Sequence, residues 1–183
     1  MRRPRSNAKP RQHPRRPGNG LRRDAPLALE RFVPHRIATL ANLVTLAAAR
    51  LYARRFGLAN REWRILAVLG EGRPLSAAEL SRRTAIDKGR VSRAVANLVR
   101  RALVGRDADA FDARRSLLRL TLKGRALYRR IVPIAAARER DLLATLSPSE
   151  RRDLERLLAK LQAGAEAMLA RLGGLPDDEE DVA

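Results

Sequence analysis

Arg90, Ser92, Arg93 and Asn97 are the residues of this chain best equipped for specific chemistry. That chemistry is hydrogen bonding to base edges: a guanidinium fork matches guanine O6 and N7, and a carboxamide matches adenine N6 and N7. All four lie in the run Ile86-Asp-Lys-Gly-Arg-Val-Ser-Arg-Ala-Val-Ala-Asn-Leu-Val-Arg-Arg101, where Lys88, Gly89, Arg100 and Arg101 add charge and close backbone approach to the same polar face. Catalysis is poorly provided for. The chain has two histidines, His13 and His35, and no cysteine, which removes thiolate metal sites, disulfides and thiol redox switching. It carries no Gly-rich phosphate loop, paired-histidine metal motif or nucleophile–base arrangement. The expectation is a protein that is not an enzyme and needs neither cofactor nor metal.

The elements that must position these side chains can be read around them. Asp87 can cap a helix, because its carboxylate accepts the free backbone N–H groups of the first turn. Val91, Ala94, Val95 and Leu98 then form an apolar stripe at helical spacing, opposite the polar face. Upstream, Ser76-Ala-Ala-Glu79 is a capping box, with Leu75 and Leu80 as its hydrophobic staple. This predicts a short helix over 77–83, a tight turn through Thr84-Ala85-Ile86, and a second helix projecting outward into a DNA major groove. Ser76, Ser81 and Arg82, with Arg83, are placed for phosphate oxygens rather than bases. Leu103-Val-Gly-Arg106 and residues 115–120 read as two strands joined by a polar turn, so the fold class is mainly α with a small β-hairpin wing.

The rest of the chain supports that centre. Lys and Arg number 39 against 20 Asp and Glu, a net charge of +19 that points to nucleic acid or an anionic membrane as partner. No apolar run is long enough to span a bilayer, and residues 1–23 lack the apolar core of a secretory signal, so no membrane partner and a cytoplasmic location are expected. Residues 1–24 are rich in Arg and Pro and read as a disordered basic arm; 173–183, with five consecutive acidic residues, read as a disordered acidic tail. Between them, 34–55 has helical periodicity, Gly57 is placed for a left-handed cap, and Asn60 for the cap of a helix carrying Trp63, Leu66, Ala67 and Leu69 inward. Thr121 caps a long helix interrupted by Pro133, and Ser147-Pro-Ser-Glu150 opens the last one. The apolar stripes containing Ile37 and Leu40, and Leu154, Leu157, Leu161 and Met168, are wider than a small domain can satisfy. Burial against a second copy, a homodimer, is favoured over an intramolecular three-helix packing.

Taken together, Glu62-Trp-Arg-Ile-Leu66, Ala78-Glu-Leu80, Asp87-Lys88 through Val91-Ser-Arg93, Asp112-Ala-Arg-Arg115 and Leu120-Thr-Leu-Lys-Gly124 resemble the MarR family of bacterial transcriptional regulators, over about residues 34–172. The resemblance implies a domain over 25–172: a winged helix-turn-helix lobe at 58–120, flanked by N- and C-terminal dimerisation helices at 34–57 and 121–172. It implies a repressor that binds a pseudo-palindromic operator in double-stranded DNA and is released by a small aromatic acid. It also implies that Asp112 braces Arg114 for the minor groove, with Arg115 on phosphate, although Phe111 departs from the polar residue usual there. A ligand pocket in such a protein lies between the dimerisation helices and the winged helix. Trp63 could line it and His35 and Arg36 could meet a ligand carboxylate, against the plainer roles of core filler and solvated helix start. The competing function is a basic protein that coats nucleic acid without reading its sequence.

Overall fold

Helix boundaries follow local capping chemistry closely. In the computed structural model, which describes residues 27–108 and 116–173, a 3-10 turn at Leu29–Arg31 precedes α1 (Val33–Phe56), α2 (Asn60–Leu69), α3 (Ala77–Thr84) and α4 (Lys88–Arg100). An antiparallel hairpin, β1 (Val104–Ala108) and β2 (Ser116–Leu120), leads into α5 (Leu122–Leu142) and α6 (Pro148–Arg171). The basic arm and the acidic tail expected at the two ends lie outside the described residues.

Ser76 accepts a hydrogen bond from the Glu79 N–H at 3.3 Å while the Glu79 carboxylate accepts from the Ser76 N–H at 2.8 Å. Ser147 and Glu150 repeat the same reciprocal pair at α6, with Pro148 in the first turn where its missing N–H costs nothing. Thr121 caps α5 by accepting from the Gly124 N–H at 3.0 Å. Two expectations are corrected. Asn60 is the first residue of α2 rather than its cap; the Ala59 N–H is instead met by the Glu62 carboxylate at 2.8 Å. Pro133 lies inside α5, which continues across it as one helix.

The chain forms two compact units, the first ending at Val44 and the second beginning at Thr45. In the first, Ile37, Leu40 and Leu43 are exposed. In the second, α2, α3, α4 and the hairpin enclose a core in which Leu58, Ile65, Leu66, Leu80, Val91 and Leu98 are fully buried. Each such side chain contributes about 1.5–3 kcal/mol relative to leaving it in water.

The hairpin pairs Val104 with Leu120, Arg106 with Leu118 and Ala108 with Ser116. A two-stranded hairpin is marginal alone. Here the residue preceding the α3 cap adds a third rung: Leu75 and Leu118 exchange backbone hydrogen bonds at 3.1 and 2.8 Å. Gly124 seats the start of α5 against the strand, because a Cβ there would fall 1.9 Å from the Leu103 carbonyl oxygen. Gly57 ends α1 at φ +59°, the left-handed conformation expected for it. No helix among the described residues is long and apolar enough to cross a membrane.

Candidate nucleic-acid interface

The recognition unit is α3, the turn at 85–87, and α4. Its turn is built from side chains as much as backbone. Ala85 adopts a left-handed conformation, φ 49°, as the C-cap of α3. Ser81 is buried, and its hydroxyl donates to the Ile86 carbonyl at 2.6 Å while the Ile86 N–H returns to the Ser81 carbonyl at 3.3 Å. The Thr84 hydroxyl donates to the Leu80 carbonyl at 2.6 Å, and Arg64 reaches across from α2 to the Thr84 carbonyl. This latch sets the angle at which α4 leaves.

Asp87 caps α4 by accepting from the Arg90 N–H at 2.7 Å, and the Arg90 Nε lies 3.3 Å from the same carboxylate. Val91, Ala94, Val95 and Leu98 are buried, which turns Lys88, Arg90, Ser92, Arg93 and Arg100 outward; Gly89 is half-buried between the two faces. Arg82 is exposed on α3, and Arg83 beside it pairs with Glu71 at 2.7 Å.

Three residues assigned to nucleic acid on sequence grounds have work inside the fold. Ser76 donates to Glu79 at 2.7 Å as part of its cap, and Ser81 is the turn latch. Asn97 is half-buried and its amide donates to the carboxylate of Glu62, while its oxygen accepts from Arg100 at 2.5 Å. Its donor points to α2 rather than to a base. Arg101 also turns away from the outer face. It donates to the Gly57 carbonyl at 2.8 Å and the Phe56 carbonyl at 3.2 Å, with Glu62 at 3.6 Å. Glu62, 4% exposed, is therefore the buried anion that ties the end of α1, the start of α2 and the last turn of α4 together. Its place three residues after the Ala59 cap was the available signal.

On the wing, Arg119 donates to Asp107 across the hairpin, at 3.2 Å to one oxygen and closer to the other. That hydrogen bond holds the Asp107 carboxyl below its ordinary range. Asp112, Arg114 and Arg115 lie outside the described residues.

Trp63 does not stand alone. Its ring is 5.3 Å from that of Tyr52 and 6.1 Å from that of Tyr128, and the Arg138 guanidinium lies 5.8 Å from the Tyr52 ring. Burial pushes the Tyr52 phenol up, and Arg138 draws it partly back. Arg138 Nη1 is buried with no hydrogen-bond partner among the described residues. Tyr52, Tyr128 and Arg138 escaped the sequence reading because they come from separate helices. His35 and Arg36 are exposed and belong to the first unit, which carries no described contact to this cluster. On α6, Leu157, Leu161 and Met168 are exposed and Leu154 is half-buried; Ile37 and Leu40 are exposed on α1. No group of three or more metal-ligating side chains occurs among the described residues.

Comparison with known proteins matches residues 56–115 to the model of the MarR family. An HTH-type transcriptional repressor of Mycobacterium tuberculosis is 31% identical over 143 residues, 78% of this chain and 97% of the relative. A MarR/EmrR family transcriptional regulator from Acinetobacter sp. ADP1 superposes with a TM-score of 0.72 at 30% identity, covering 76% of this chain and 98% of that one. BpsR of Bordetella bronchiseptica, whose DNA binding is regulated by 6-hydroxynicotinic acid, superposes with a TM-score of 0.67 at 27% identity, covering 75% and 98%.

Proposed function

From its membership of the MarR family of transcriptional regulators, we propose that this chain represses transcription as a homodimer on a pseudo-palindromic DNA operator. The observation that carries the reading is the two-sided recognition helix: Val91, Ala94, Val95 and Leu98 are buried, while Lys88, Arg90, Ser92 and Arg93 face out together. Each protomer would lay α4 in a major groove and its wing, through Arg114 braced by Asp112 and with Arg115 on phosphate, against a flanking minor groove. Arg82 contacts phosphate from α3, and the basic arm at 1–24 adds further phosphate contacts. The second copy covers the exposed Ile37, Leu40, Leu157, Leu161 and Met168.

The competing reading, a coating protein that uses charge without base readout, draws on the net charge of +19. One experiment separates the two. Arg90→Ala and Arg93→Ala should each cost about 1–3 kcal/mol on the operator, if each makes a bidentate base contact, and much less on random duplex. Equal losses on both DNAs would leave the arginines only neutralising phosphate, and the coating reading would replace this one.

A small aromatic acid is the effector that the Trp63 cluster suits. Three aromatic rings offer stacking surface, and the unpartnered Arg138 Nη1 offers a donor for a carboxylate. Trp63 is the only tryptophan, so its fluorescence reports on this cluster alone. Titration with 6-hydroxynicotinic acid, the effector of the Bordetella relative, should quench it, and Arg138→Gln should weaken that response roughly tenfold or more. Unaltered fluorescence in both proteins would remove this site from consideration.

A further inference from the structure

Within the second unit, α3 and α6 border an open groove of 530 Å³ that neither base reading nor the aromatic cluster uses. Its walls carry Arg73, Arg82, Arg83, Glu79, Gln162 and Glu166. The acids there are already engaged. Glu79 caps Ser76 at 2.8 Å, and Glu166 accepts from Gln162 at 3.0 Å. Arg83 pairs with Glu71 outside the groove. Arg73 and Arg82 are left with no ion-pair partner among the described residues, side by side with positive charge that nothing in the groove neutralises.

The chain itself supplies the missing anion. Past Gly173 it continues Gly-Leu-Pro and then Asp177, Asp178, Glu179, Glu180 and Asp181, five of its 20 acidic residues in one run. Glu166 lies one and a half turns before the end of α6 at Arg171, about 8 Å along the axis. Residues 177–181 follow Gly173 by four to eight positions, so an extended chain carries them about 13 to 29 Å from it. That reach covers the return to the groove whichever way the chain leaves the helix. Tethering also gives the segment a local concentration in the millimolar range, which no free acidic peptide matches.

We propose that the acidic run at 177–181 docks in the α3–α6 groove on Arg73 and Arg82 and competes there with DNA phosphate. The proposal rests on the reading of Arg82 as a phosphate contact. Docked, the run withholds α3 from the duplex; displaced by phosphate, it releases it. If the run covers the groove about nine-tenths of the time, the apparent Kd for duplex is raised roughly tenfold. Competition of this kind weighs most on non-specific sites, where phosphate contacts supply nearly all the affinity.

Because the chain has no cysteine, Ala183→Cys in the full chain accepts a single nitroxide label, whose effect on backbone amide relaxation reports proximity without DNA. At low salt the amides of α3 around Arg82 should broaden. They should recover at high salt and in a variant carrying Asp177→Asn, Asp178→Asn, Glu179→Gln, Glu180→Gln and Asp181→Asn. The same neutral variant without the label should bind random duplex roughly tenfold tighter at low salt, with the difference vanishing at high salt. Unbroadened α3 amides, or broadening confined to other helices, overturn docking in this groove. Broadening with unchanged duplex affinity overturns the competition. Arg82→Ala is measured alongside: if it leaves duplex binding intact while the α3 amides still broaden, the phosphate reading of Arg82 has failed and the competition falls with it, but docking stands. A free acidic peptide that broadens α3 as well as the tethered run does would replace the intramolecular occupant by an acidic partner protein.

Discussion

The amide of Asn97, in the last turns of α4, donates to the buried carboxylate of Glu62 at the start of α2. The recognition helix is thereby anchored at the end farthest from the turn, by a charge that also caps α2 and holds Arg101. Removing one partner of such a buried group leaves the other unsatisfied, which costs about 1–3 kcal/mol. Asn97→Ala should therefore lower stability by that amount in chemical denaturation. Affinity for operator and random duplex should fall in parallel or not at all. A loss confined to one base pair of the operator would return Asn97 to base reading.

The turn between α3 and α4 makes a second expectation. Ser81→Ala should destabilise the protein by about 1–2 kcal/mol, because it orphans the Ile86 carbonyl. Its salt dependence of DNA binding should match the parent's. A slope lowered by about 0.9 log units would instead show a lost phosphate contact.

Ala85 holds a left-handed conformation that glycine adopts more readily. Ala85→Gly should raise stability by up to about 1 kcal/mol if relief of that strain outweighs the added freedom of the unfolded chain. A fall in stability by thermal or denaturant unfolding would show that the αL strain here is smaller than the entropy term.

Leu157, Leu161 and Met168 expose about half or more of their surface on α6. Replacing Leu157 and Leu161 together by Glu should yield a monomer or an aggregate. Sedimentation that finds the unmutated chain monomeric at micromolar concentration would overturn the dimer.

The Glu150 carboxyl is held below its ordinary value, chiefly by the Ser147 hydroxyl and then by the Ser147 N–H. A carboxyl lowered in the folded state stabilises α6 above the ordinary carboxylate range, and that contribution is lost as pH falls through the lowered value. Ser147→Ala should move the Glu150 titration upward in carboxyl-detected NMR and weaken protection of the first turn of α6. An unshifted titration would show that the hydroxyl is not the cause.

Local rules were enough for much of this protein. The caps at Ser76, Asp87, Thr121 and Ser147 depend on residues three apart, and the stripe of Val91, Ala94, Val95 and Leu98 depends on helical periodicity. Both are properties of one segment, so the helices, the hairpin and the outward face of α4 were legible in the chain alone. Tertiary structure decided what each polar side chain meets. Asn97 and Arg101 look like further members of a basic outer face until α2 brings Glu62 beneath them. Ser81 looks like a phosphate donor until the fold buries it over Ile86. Tyr52, Trp63, Tyr128 and Arg138 become one cluster only when α1, α2 and α5 pack. The physical reason is common to all three: a buried polar group takes the partner that folding brings to it, because leaving it unmet costs more than any choice its own helix could make.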